Sequence, residues 1–223
     1  IINGENIDRI FLVTGNATIK YLTLTGGNAN CGGAISVDGG ILTLDNVIIS
    51  RSNANCGGAI YINTTSDVSI TSSFFADNTA EKGDGIYIEN GNVILSGNEM
   101  NGATIYFAGG SIKSKLVFLS NRTVNAEFGS TITLTASLTD DNGNIIRGGI
   151  VSFTINGETI ATVDISGDDE LAINYTVPID ASEDILVSGK MMKSVDPSIK
   201  GAGLANGAPE ANVDEGVYIN KSS

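Results

Sequence analysis

The chain has no histidine and no tryptophan, three prolines, two cysteines, and 12 Lys and Arg against 25 Asp and Glu. Each scarcity excludes something. Without His the commonest general base and metal ligand is missing, and Ser-His-Asp and Cys-His nucleophiles are ruled out. Two Cys without His leave a tetrahedral zinc site half empty, so no metal is expected, and nothing calls for a cofactor. A formal net charge of −13 with scattered cations argues against nucleic acid and anionic membranes, both of which are bound by clustered Lys and Arg. No run approaches the roughly 20 apolar residues of a spanning helix, so no direct membrane insertion is expected.

What the chain does have is glycine, 28 residues of it, and part of that glycine is periodic. Cys31-Gly32-Gly33-Ala34-Ile35 returns as Cys56-Gly57-Gly58-Ala59-Ile60, each preceded by Asn-Ala-Asn, and returns again, altered, as Lys82-Gly83-Asp84-Gly85-Ile86. A period of this size is the signature of a solenoid whose repeats stack on one another. Aligned on it, Ile10, Ile35, Ile60, Ile86 and Ile105 form one column, and Leu12, Val37, Ile62, Ile88 and Phe107 form the next but one. Two further columns read Ala17, Leu42, Val68, Val93 and Ile19, Leu44, Ile70, Leu95; another holds Leu24, Ile49 and Phe75. Apolar and polar residues alternate within each segment, the period of a strand with one buried face. Three short strands per turn predict an all-β coil of about five rungs, the last one short, over residues 1–113. Its ladders should be parallel and in register, and its hand right.

From residue 114 the period vanishes. Lys115 to Ser120, Thr131 to Thr139, Gly149 to Ile155, Thr159 to Ile165, Leu171 to Val177 and Ile185 to Met191 are β-rich, separated by turn chemistry at Asp141-Asn142-Gly143-Asn144, Asn156-Gly157 and Gly167-Asp168-Asp169. Six short alternating strands in this length fit an antiparallel sandwich. Residues 193–216 are expected to form a long loop, leading to a final edge strand at 217–220.

Gly-Gly-Ala-Ile followed by Phe75-Ala76-Asp77-Asn78 resembles the repeats of bacterial polymorphic outer-membrane proteins and of adhesin-like surface proteins of methanogenic archaea. The opening Ile1-Ile2-Asn3-Gly4, then Arg9-Ile10-Phe11 and residues 17–24, is similar to the archaeal members. At the Phe and Asn positions the other repeats carry Leu24 or Ile49, and Gly27 or Ser52. The stretches Phe128 to Ala136 and Ile150 to Gly157 resemble bacterial Ig-like repeat domains. The resemblance implies a short right-handed parallel β-helix on an Ig-like β-sandwich spanning 114–223, a non-catalytic module at the cell surface. Its partners would be surface glycans or proteins of another cell. The start on a repeat, without Met or leader, suggests a piece of a longer exported protein.

Three chemical questions stay open. Cys31 and Cys56 should stack on adjacent rungs at a Cα separation within disulfide reach, and a bridge or a buried thiol pair both satisfy the spacing. Tyr61, Tyr87 and Tyr106 should form an outward aromatic row, either a ligand-binding face or a ladder that stabilises the sheet. Carbohydrate-active β-helices need paired carboxylates or a calcium site; here Asp84 and Glu89 bracket one strand, with Asp38 near the matching position of another rung. Asn-x-Ser/Thr sites at Asn16, Asn63, Asn121, Asn174 and Asn220 are close to the number chance gives.

Overall fold

The computed structural model describes residues 1–63, 66–112, 115–118, 123–127, 129–140, 142–155, 158–165, 171–178, 185–192, 212–213 and 217–221. Among them every regular element is a strand, and three parallel sheets wind into a β-solenoid of about four turns. One face is formed by Ile2–Asn3, Thr23–Thr25, Ile48–Ser50 and Phe74–Ala76. The second is Phe11–Val13, Ile35–Val37, Ile60–Ile62, Ile86–Ile88 and Ile105–Phe107. The third is Ala17–Lys20, Ile41–Asp45, Ser66–Thr71, Gly91–Ser96 and Ser111–Ile112. Leu24, Ile35, Leu42, Leu44, Ile49, Ile60, Ile62, Ile70, Phe75, Ile86 and Phe107 are wholly buried between the faces.

The apolar columns pair in register as expected, with one correction. On the second face it is Phe11 that pairs with Ile35, and Val13 with Val37. The predicted members Ile10 and Leu12 are one residue out. Successive partners Phe11, Ile35, Ile60, Ile86 and Ile105 are 24, 25, 26 and 19 residues apart; a strict period overshoots at the first rung. Because side chains alternate, the slip inverts the face: Leu12 is 58% exposed and Val13 6%.

Each turn closes through three stacked left-handed residues. Gly32, Gly57 and Gly83 form one such column (φ 67°, 63°, 67°), where glycine costs nothing sterically. Tyr21, Asn46 and Ser72 (φ 55°, 54°, 48°), followed by Gly97, form another, and Gly26, Arg51 and Asp77 (φ 63°, 52°, 55°) the third. A non-glycine residue there costs roughly 1–2 kcal/mol, an expense that the ladders on either side offset.

Beside these corners, side chains meet backbone groups that strand pairing leaves over. Gly27 N–H donates to Ser52 Oγ (3.2 Å) and Ser52 N–H to Asn78 Oδ1 (3.0 Å), while Asn78 Nδ2 donates to the Ile49 carbonyl (2.9 Å). The next corner repeats the device: Val47 N–H to Ser73 Oγ, Ser73 N–H to Asn98 Oδ1 (2.9 Å), Asn98 Nδ2 to the Ile70 carbonyl (2.7 Å). The Asn of the Phe-x-x-Asn motif is therefore a buried bracket between rungs and not a polar loop residue. Without it, buried N–H and C=O groups would go unpaired at about 1–3 kcal/mol each.

Both ends of the coil are closed by special contacts. In the interior, Gly32 and Gly33 N–H donate to the carbonyls of Cys56 and Gly57. At the first rung the corresponding carbonyls, of Cys31 and Gly32, are met by the Arg9 guanidinium through Nη2 (2.8 Å) and Nε (3.1 Å). The fork of one Arg takes the place of the two backbone donors that the Gly-Gly corner supplies on later rungs. At the far end Ile146–Arg147 adds a sixth strand to the second face, parallel to Ile105–Phe107. Asn142 Oδ1 accepts from Gly97 N–H (3.1 Å) and Asn144 Nδ2 donates to the Asn98 carbonyl (3.3 Å). The buried Asp140 holds that loop by accepting from Asn142 N–H, Asn144 N–H and Asn144 Nδ2. A solenoid end exposes a row of unpaired backbone groups and must be capped; Asp140 and residues 142–147 do so from beyond the expected boundary at 113.

Past the coil, Thr131–Thr139 pairs antiparallel with Lys115–Phe118 and Leu171–Thr176, and Ile150–Ile155 pairs antiparallel with Glu158–Asp164 and Ile185–Met192. The last strand, Val217–Lys221, is not an edge: it lies between Thr123–Ala126 and Ile185–Met192. The expected turns at 156–157 and 167–169 and most of the long loop at 193–216 lie outside the described residues; within that loop Asn212–Val213 pairs with Lys115–Phe118.

Candidate functional site

Tyr61, Tyr87 and Tyr106 occupy the central outward position of three successive strands of the second face, in direct register. Strand alternation puts them outside because their neighbours, Ile60 and Ile62, Ile86 and Ile88, Ile105 and Phe107, are buried. Their row continues to Ser36 on one side and Arg147 on the other. The rings are half-buried and stacked on one another: centroids lie 5.6 Å apart between Tyr61 and Tyr87 and 5.1 Å between Tyr87 and Tyr106, with interplanar angles of 29° and 8°. A face-to-face sugar platform is therefore not what Tyr87 offers. Its two faces are taken by its neighbours, and the row presents ring edges and hydroxyls to solvent. Each stacked pair adds about 0.5–1.5 kcal/mol beyond burial.

Alongside runs the corner ladder Cys31, Cys56, Lys82, bridged in parallel at successive rungs. Cys31 and Cys56 are joined as a disulfide with Cα atoms 4.6 Å apart. On the third rung a cation stands where the others have sulfur, and the Lys82 ammonium sits 5.2 Å from the Tyr106 ring centroid. Burial pushes the Tyr87 hydroxyl up from its ordinary value of 10.0, the neighbouring Tyr106 adds to this, and Lys82 opposes it.

A raised pKa in the folded state means stability fully present below the unfolded value and lost as pH rises through the folded one. Two expectations follow. The phenolate absorbance that Tyr87→Phe removes should appear above pH 10, and alkaline unfolding of the variant should set in later than that of the native chain. A difference titration of the two proteins measures both. Tyr175, also raised by burial, cancels in the difference.

The carboxylates considered for chemistry are occupied in different ways. Asp84 Oδ1 accepts from Ala80 N–H (2.7 Å) and so closes its own turn, while Asp38 accepts from Asn63 Nδ2 (3.0 Å). Glu89 is exposed at the end of its strand. Among the described residues no group of three or more His, Cys, Asp or Glu is placed to hold a metal ion, and no helix is long and apolar enough to cross a membrane. Of the glycosylation candidates, Asn16 and Asn174 are exposed and Asn63 is half-buried; the side chains of Asn121 and Asn220 lie outside the described residues. Sequence reasoning missed Lys82 as part of this region, although its place in the Cys column marks it.

Comparison with protein-family models, with curated proteins and with solved structures returned no match.

Proposed function

We propose that this chain is a non-catalytic, adhesin-like module of a cell-surface protein, related to the archaeal surface proteins that its repeats resemble. A right-handed parallel β-helix presents a contact face to glycans or proteins of another cell, and an Ig-like sandwich built from residues 114–223 carries it. The observation that carries this reading is the in-register row Tyr61, Tyr87, Tyr106 on a rigid sheet: aromatic groups with polar tips are what binding surfaces concentrate, and a solenoid repeats them at fixed spacing. The antiparallel pairings of Thr131–Thr139 and Ile150–Ile155 support the sandwich. The local engagement of Asp84 and Asp38 favours contact over hydrolysis or elimination.

A second reading, a passive stalk, draws on the near-parallel stacking of Tyr87 on Tyr106, which a purely stabilising ladder would also show. The double variant Tyr61→Ser/Tyr87→Ser separates the two. On an array of surface glycans and on whole cells the adhesin reading expects binding to fall at least tenfold. Undiminished binding by the folded variant, or no binding by the native protein, leaves the stalk.

A further inference from the structure

We infer that the tyrosine row receives a short glycan laid along the coil axis, with neutral sugar units over Tyr61 and Tyr87 and one carboxylate-bearing unit at the Tyr106 end, where Lys82 meets its charge. The inference rests on the binding face proposed above and adds its ligand class and polarity. The row is not a continuous platform, since stacking takes both faces of Tyr87 and one face each of Tyr61 and Tyr106; along the row it offers phenol hydroxyls, each both donor and acceptor, and positively polarised ring edges. Such a ridge matches partners with hydroxyl and ether oxygens repeated at nearly the rung spacing of about 4.8 Å, and the ring separations of 5.6 and 5.1 Å are close to the length of one sugar unit.

The charge is asymmetric along the row. Position for position, the corner ladder beside the tyrosines carries a disulfide on two rungs and an exposed ammonium on the third; at the Cys31 end the Arg9 guanidinium is engaged by the Cys31 and Gly32 carbonyls, so the Lys82 end is the one that attracts an anion. The surroundings limit how much charge is tolerated. Glu81 and Glu89 are exposed on the Lys82 and Tyr87 turn, Asp38 stands two rungs away, and the whole chain carries −13. A polyanion would be repelled over most of its length, whereas a strand that is neutral but for one unit meets its counter-charge at the Tyr106 end, where Lys82 stands beside the ring and Arg147 is the next residue of the row. The side chain of Asp84, beside it, is turned into its own loop.

The test uses an aldotriouronic acid, two neutral pentoses with one glucuronate, against its methyl ester, which keeps the shape and removes the charge. Calorimetry on the full chain is expected to show the acid binding about tenfold tighter than the ester. Lys82→Gln should cut that preference severalfold, weakening the acid more than the ester, and Tyr87→Phe, which preserves the stack, should weaken both ligands alike. Equal affinity for acid and ester, or a preference that Lys82→Gln leaves undiminished, overturns the inference and leaves the binding face standing if glycan binding still depends on Tyr61 and Tyr87. Failure of both sugars to bind overturns it too, and failure across the glycan array as well removes the binding face itself.

Discussion

Gly58→Ala is expected to cost more than about 4 kcal/mol, enough to unfold most of a domain of ordinary stability. A Cβ on Gly58 would lie 2.5 Å from the Asp84 carbonyl oxygen, 2.6 Å from that of Thr79 and 2.9 Å from the Thr79 carbonyl carbon. All three are backbone atoms of the next rung, and that rung is held by its own ladder: Ala59 N–H donates to Asp84 O and Ile60 N–H to Gly85 O. The coil cannot yield here without opening pairings on both sides, and overpacking that moves backbone is among the costlier substitutions. Gly85, one residue past the matching position, stands where the preceding repeat has Ala59, and there the nearest atom is the terminal methyl of Met100, at 2.6 Å. A flexible Met side chain can swing away, so Gly85→Ala should cost clearly less. Urea melts of the two variants followed by circular dichroism supply the measurement; equal destabilisation would mean that the crowding at Gly58 is not what its glycine is for.

That contrast also shows what a repeated motif can and cannot say. Cys-Gly-Gly-Ala-Ile announces a period, and the period was enough to place Ile35, Ile60 and Ile86 in one buried column, because an in-register coil needs the same face inward on every rung. The first glycine was legible as a tight turn. The other two left-handed corners were not, since beside Gly26, Gly97, Asn46 and Asp77, types that tolerate the conformation, they use Tyr21, Ser72 and Arg51, whose type does not advertise it. The slip from Phe11 to Ile10 arose where the repeat is one residue shorter. The Arg9 and Asp140-loop contacts were invisible for a deeper reason. Both are made by residues that belong to none of the repeated columns, so aligning the repeats does not point to them. The Asn142-Gly143 turn chemistry was visible as local structure, but nothing local says that the loop docks on Gly97 and Asn98.

The candidate site divides the same way. Tyr61, Tyr87 and Tyr106 were placed on one outer row by register alone, because strand alternation dictates which side they take. Their mutual stacking is a matter of ring rotamers, which the pattern does not fix, and it changes the chemistry on offer from ring faces to edges and hydroxyls.

Removing the bridge between Cys31 and Cys56, by reductant or by Cys31→Ser/Cys56→Ser, is expected to lower stability by about 3.5 kcal/mol, from the chain-entropy relation for a loop of this length. The two residues are 25 apart in sequence and 4.6 Å apart at Cα, so the bond closes one turn of the coil on itself. The folded state already holds the two positions together through the Cys31 to Cys56 bridge pairing and through Gly32 N–H to the Cys56 carbonyl at 2.8 Å. Reduction therefore frees little in the native coil and much in the unfolded chain, and the loss should appear as a shift of the denaturation midpoint with little change in native circular dichroism. The effect should also be directional. In a stacked array each rung leans on its neighbours, and the bond ties together the first two occurrences of the motif while the third carries Lys82. Hydrogen exchange after reduction should rise most for the amides of Ile35–Val37 and Ile60–Ile62, and least for Ile105–Phe107, which the Ile146–Arg147 strand covers. Alkylation of both thiols in the native protein without reductant would show instead that the pair is unbridged and that its contribution is packing alone.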